Sequence, residues 1–160
     1  MSIQNITIRR AALEDLKIIQ RFGYELLDYE RQNWDPALDI NWPFSKEGEQ
    51  KYRFAITDKY TIIAEKDKKL AGYLIGKIVG AAPGSARNIK QAYLENIFVS
   101  DSARKSGVGA KLITEFKDYC KKEGVSRINV SVLAANTTAV DFYQKVGFSP
   151  RSLSLSQELK

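Results

Sequence analysis

The chain has 160 residues, 44% apolar and 28% charged, which fits one domain with its own core over residues 1–160 and excludes fibrous and disordered classes. With no histidine and one cysteine it cannot build a metal site from imidazole or thiolate ligands, a Ser-His-Asp triad, a Cys-His pair or an intrachain disulfide, and no metal is expected. The net charge of +6 is uneven: residues 1–50 hold six Lys/Arg against nine Asp/Glu, the rest nineteen against ten, so an early acidic surface and a later basic one are expected.

In chain order, Ile3, Ile6 and Ile8 alternate with polar residues ahead of Arg9 and Arg10, which reads as an opening strand. The same segment lacks an apolar signal core, and no run is long enough to span a bilayer, so a cytoplasmic protein without membrane association is expected. From Leu13 the period becomes helical through Leu16, Ile19, Phe22, Leu26 and Leu27 to about Glu30, with Gly23 as a weak point. Gln32 to Phe44, with Pro36, Pro43, Trp34 and Trp42, reads as an ordered loop. Ser45 then caps a short helix over Lys46–Ile56. Strands are predicted at Thr61–Lys66 and Leu70–Val79 around a turn at Asp67, Lys68 and Lys69, and after a loop at Gly80–Lys90 another strand at Ala92–Val99. Val108, Leu112, Phe116 and Cys120 mark a helix stopped by Gly124. Arg127–Leu133 is a strand, Asn136–Val146 a helix closed by Gly147, and Leu153, Leu155 and Leu159 suggest a last strand. Hairpins combined with one β-α-β crossover imply an α/β or α+β fold on a mixed sheet.

The informative stretch is the strand Glu95-Asn96-Ile97-Phe98-Val99 followed by Arg104-Lys105-Ser106-Gly107-Val108-Gly109-Ala110 at the start of a helix. The first N–H groups of a helix have no intrahelical acceptor and lie at its positive end, so they stabilise an anion. Without Cβ atoms at Gly107 and Gly109 a phosphate can approach the main chain, and Arg104 and Lys105 add charge. The bland alternative is a tight strand-to-helix turn. A P-loop is excluded by spacing, and a dinucleotide fingerprint by Leu112 in place of a third glycine.

A second segment, Asn136-Thr137-Thr138-Ala139-Val140-Asp141-Phe142-Tyr143-Gln144-Lys145-Val146-Gly147-Phe148, joins the first in a pattern that resembles the GNAT superfamily of N-acetyltransferases. In that family R/Q-x-x-G-x-G/A binds the coenzyme A pyrophosphate, and Arg104, Gly107 and Gly109 match it. The later N-x-x-A-x-x-F-Y-x-x-x-G-F pattern is matched at Asn136, Ala139, Phe142, Tyr143, Gly147 and Phe148. The resemblance implies a mixed, mostly antiparallel central sheet flanked by helices, with two splayed strands forming the cofactor cleft. Because the family usually ends in two strands, the segment past Ser149 departs from it and a shortened last hairpin is expected.

The resemblance further implies acetyl-CoA as cosubstrate, its pantetheine arm pairing with main-chain groups of Ile97, Phe98 and Val99, and its phosphates held by Arg104, Lys105, Ser106, Gly107, Val108, Gly109 and Ala110. An N–H there, that of Phe98, is expected to polarise the thioester carbonyl. Tyr143 matches the family's general acid. Glu95 is the candidate base, against an ordinary exposed carboxylate with a water chain doing that work, and Tyr93 on the same face could order such a water. Asn136 serves equally well as a ligand of the pantetheine arm or as a helix cap. Cys120 lies on an apolar stripe and reads as core; Lys111, Lys117, Lys121 and Lys122 read as solvated surface or as charges that steer phosphates.

The functional expectation is direct transfer of an acetyl group to a primary amine, and the alternative a non-catalytic acyl-CoA-binding module. For the acceptor, a small cationic amine, an amino acid or a peptide N-terminus stay open, as does a homodimer. The cationic amine draws on Asp28, Glu30, Asp35 and Asp39 interleaved with Tyr29, Trp34 and Trp42. Nucleic acid is not expected, since no basic stripe is interleaved with aromatics.

Overall fold

Apolar residues occupy both parities of the central strands, so those strands must be covered on both faces. The computed structural model, which describes residues 5–80 and 89–159, has this arrangement. Its elements are β1 (Ile6–Arg10), α1 (Leu16–Asn33), α2 (Lys46–Asp58), β2 (Tyr60–Lys66), β3 (Lys69–Val79), β4 (Gln91–Val99), α3 (Val108–Lys122), β5 (Arg127–Val130) and α4 (Thr137–Lys145). The sheet runs β1-β2-β3-β4-β5. Its first three pairings are antiparallel and β4–β5 is parallel, joined by the α3 crossover.

Two cores sandwich the sheet. Leu112, Ile113 and Phe116 of α3 pack with Ile62, Ala64, Leu74 and Leu94 on one face. On the other, Leu16, Ile19 and Phe22 of α1 and Tyr52 and Ile56 of α2 pack with Ile63, Tyr73 and Phe98. Ile62 and Ile63 thus go to opposite cores, as strand alternation requires.

Local choices carry physical reasons. Gly23 is where α1 meets α2: a Cβ there would lie 2.0 Å from the Tyr52 hydroxyl, so the glycine that weakens the helix in isolation permits its packing. The α-helix begins at Leu16, later than the periodicity predicts, because Leu13–Asp15 forms a 3-10 turn. Asp15 accepts the Ala12 N–H at 2.8 Å and both Arg9 guanidinium nitrogens at 2.7 and 2.9 Å. Ser45 caps α2 as expected, accepting the Gly48 N–H at 3.0 Å. Asp67 and Lys68 both have positive φ, 51° and 64°, the geometry of a tight two-residue hairpin turn.

Three expectations meet a correction or a limit. No strand forms over 149–159, where Leu153, Leu155 and Leu159 are 72%, 85% and 89% exposed; an alternating pattern makes a strand only where a neighbour accepts its hydrogen bonds. β5 ends at Val130 instead of Leu133, because its partner β4 leaves it there. Ile3 and most of the Gly80–Lys90 loop lie outside the described residues. No described helix is long and apolar enough to cross a membrane.

Candidate active site

The site begins with an irregularity in β4. Against β3, Asn96 pairs with Ile75 while Leu94 pairs with Gly76, so Glu95 is an extra residue, a β-bulge. The parallel pairing with β5 stops at the same point, Leu94 opposite Val130. Beyond it the edge of β4 that β5 would have covered is open over Glu95–Val99, the splay expected of the cofactor cleft.

Alternation of the ladder decides which groups face the gap. The Ser100 N–H donates to the Ala71 carbonyl at 2.9 Å, and two residues back Phe98 stands opposite Tyr73. Alternation therefore turns the Phe98 N–H toward β3, and the N–H groups of Ile97 and Val99 toward the gap. This corrects the expectation that Phe98 supplies the oxyanion donor. The Phe98 side chain is instead a buried prop, its ring centroid 5.2 Å from that of Phe22.

At the end of β4, Arg104 folds back: its Nε donates to the Val99 carbonyl at 3.2 Å, one terminal nitrogen lies 2.8 Å from Asp101, and the guanidinium sits over the Tyr29 ring. Lys105 and Gly107 have φ of 58° and 88°, and Gly107 is the N-cap of α3 with no side chain capping the helix. The Ser106 hydroxyl is used locally, donating to the Ala103 carbonyl at 2.6 Å. The first N–H groups of α3, those of Val108, Gly109 and Ala110, are thus left for an external acceptor, in a loop whose alternating left-handed residues form an anion-binding concavity.

Gly109 also has a packing reason to be glycine. A Cβ there would lie 3.2 and 3.3 Å from Phe142 ring atoms and 3.6 Å from Val99, so it sets how closely α4 packs on α3.

A cleft of about 820 Å³ runs from α1 and α2 across β4 to β5 and α4, and both Tyr143 and Glu95 line it. Tyr143 is 9% exposed, its ring held between Phe142 and Phe148. Burial first, then the charge of Glu30, push its phenol up to about 12. Asn136 lines the cleft while its side-chain oxygen caps α4, accepting the Ala139 N–H at 3.0 Å; its amide nitrogen remains available.

Glu95 is less suited to taking a proton than the sequence suggests. Burial works to raise its carboxyl, but hydrogen bonds from Lys59 at 2.5 Å and Lys77 at 2.7 Å outweigh it and hold the group below its ordinary range. Both oxygens are engaged. Glu30, which also lines the cleft, has the reverse environment: burial and then the nearby Asp35 raise its carboxyl, and no described residue forms an ion pair with it.

Of the acidic and aromatic residues expected to draw a cation, only Glu30 and Trp42 line the cleft. Asp35 and Asp39 accept N–H groups of Ala37 and Asn41 in their own loop, and Asp28 accepts from Gln32. Lys111 and Lys117 donate to the main-chain carbonyls of Ile6 and Val146, and Lys121 lies 3.5 Å from Asp118, so these three are engaged within the fold. Cys120 is core, its thiol raised to about 11 by burial. Lys59 and Lys77 carried no local signal, since the β2–β3 and β3–β4 registers together bring them to Glu95.

A family model described as the acetyltransferase (GNAT) family matches residues 24–148. An uncharacterized N-acetyltransferase of Bacillus subtilis is 37% identical over 37% of this chain and 24% of its own length. A thialysine N-epsilon-acetyltransferase of Bos taurus is 27% identical over 89% of this chain and 83% of its own. In four curated relatives the match covers only 24%, 31%, 38% and 35% of their own length. Among solved structures, a mutant of the BH1408 protein of Bacillus halodurans superimposes with a TM-score of 0.88 at 18% identity, over 96% of this chain and 99% of that one. An aminoglycoside N-acetyltransferase in complex with CoA gives 0.72 at 18% identity, over 98% and 96%.

Proposed function

Because the chain belongs to the acetyltransferase (GNAT) family, we propose that it is an N-acetyltransferase that moves an acetyl group from acetyl-CoA to a primary amine inside this cleft. The observation that carries the reading is the coincidence of three features: β4 parts from β5 at Leu94, an uncapped helix N-terminus lies beyond, and the Tyr143 phenol lines the same cleft. These residues fit coenzyme A, an extended arm ending in phosphates. When bound, it supplies a thioester carbonyl open to attack and a thiolate that leaves.

The chain's own contributions follow. The Ile97 and Val99 N–H groups pair with the arm and offer a hydrogen bond to the carbonyl, with Phe98 fixing the strand between them. Arg104, Lys105 and the N–H groups from Ser106 to Ala110 hold phosphates, and the Asn136 amide steadies the arm. Tyr143 keeps its proton at Oη throughout the ordinary pH range and is the acid of the cleft. Glu30 lines the cleft and receives the proton of the incoming ammonium, because both Glu95 oxygens are already taken by Lys59 and Lys77.

The test is release of free thiol from acetyl-CoA across a panel of amines, with coenzyme A binding measured by calorimetry. Binding with no turnover on any amine would replace this reading with a non-catalytic acyl-CoA-binding module.

A further inference from the structure

The cleft is lined by charged side chains of both signs. Lys59 and Lys77 share one carboxylate, Glu95, so the trio keeps one net positive charge, and each ammonium has further N–H donors than the one it gives Glu95. Lys51 also lines the cleft, its ammonium 5.4 Å from the centre of the Trp42 ring and 3.4 Å from Glu47. Lys59 and Glu95 are little exposed, at 22% and 23%, so this charge is only partly screened. Glu30, on α1, lines the same cleft as Tyr143, and no described residue forms an ion pair with it.

We infer that the acceptor is an amino acid or similar amino-carboxylate, its ammonium held at Glu30 beside Tyr143 and its carboxylate at Lys59, Lys77 and Lys51. This rests on the acetyltransferase reading and narrows its substrate class. A diamine would set its second positive charge against the lysines, where like charges repel. The amino-carboxylate offers opposite charge to Glu30 and to the lysines, and its carboxylate accepts from ammonium groups already oriented by Glu95. In the reaction the ammonium gives one proton to Glu30, an N–C(acyl) bond forms, a C–S bond breaks, the thiolate takes the Tyr143 proton, and the second proton lost by the nitrogen restores the Tyr143 phenol.

The experiment compares three acceptors of equal length: an amino acid, its carboxamide and the corresponding diamine. Turnover is followed by thiol release, and binding to the protein without acetyl-CoA by calorimetry. The amino acid should lead the carboxamide by about tenfold in kcat/KM and in Kd, the size of one charge-assisted hydrogen bond. Lys77→Gln and Lys51→Gln should each shrink that preference, Lys77→Arg should retain it, and added salt should weaken it. Equal or better use of the carboxamide or the diamine overturns the inference while leaving the acetyltransferase intact. If nothing turns over, the proposed function fails, and the calorimetric order alone decides whether the lysines select a carboxylate.

Discussion

Gly107 and Gly109 stand two residues apart in one loop and should respond to the same substitution in different ways. Gly107 has φ of 88° and open space around the position of a Cβ. Alanine there meets no neighbour but must hold a left-handed backbone, at a cost of about 1–2 kcal/mol. Either the protein loses that stability, or the loop relaxes and its N–H groups no longer converge, which would weaken coenzyme A binding by about tenfold per 1.4 kcal/mol. At Gly109 no such strain exists, because the residue is helical. Alanine gains up to about 1 kcal/mol in helix propensity and must displace the Phe142 ring, 3.2 Å from its Cβ, by a few tenths of an ångström. The two effects oppose, so Gly109→Ala should stay within about 1 kcal/mol of the parent. Urea denaturation and coenzyme A calorimetry on both variants, with Gly107→Asn as a residue that tolerates the left-handed region, separate the cases. A Gly107→Ala protein as stable and as tight a binder as the parent would refute the argument, as would a Gly109→Ala protein that loses more than Gly107→Ala.

Tyr143→Phe removes one oxygen and keeps the packed ring, so turnover should fall by about 10²- to 10⁴-fold while coenzyme A affinity holds; unchanged kcat would remove the tyrosine from the chemistry. Glu30 with its raised carboxyl should give kcat/KM an acidic limb lying above the ordinary carboxylate range, and Glu30→Gln should abolish that limb; a limb that survives the substitution and disappears in Glu95→Gln would return the base role to Glu95. The Arg9 hydrogen bonds hold the Asp15 carboxyl low, so the stability it contributes is present above its unfolded value of about 3.9 and is lost as pH falls through the folded one. Asp15→Asn should lower neutral-pH stability by about 1–3 kcal/mol and flatten the parent's loss of stability as pH falls below about 3.9, readable from urea curves at neutral and acidic pH.

Local chemistry was legible in the sequence wherever a few neighbouring residues settle it. The helical periods of α1, α2, α3 and α4, the Ser45 and Asn136 caps, the Asp67-Lys68 turn, and the strand-glycine-helix and Asn-to-Phe patterns that resemble the acetyltransferase family all lie within short stretches of chain. Tyr143 and Glu95 were found at the cleft for the same reason. What only the tertiary structure decided involves two distant segments at once. The extra residue at Glu95 is defined by its count against β3, and it sets both the parity of the N–H groups beyond it and the end of β5. Lys59 and Lys77 reach Glu95 only through register, which gives the candidate base two ion-pair partners that its own strand does not foreshadow. The acidic residues at and beyond the end of α1 separate by the same logic, Glu30 lining the cleft and Asp35 and Asp39 closing their own turns. Leu153, Leu155 and Leu159 complete the contrast: period-two alternation is a local property, but a strand exists only when a neighbouring edge takes up its hydrogen bonds.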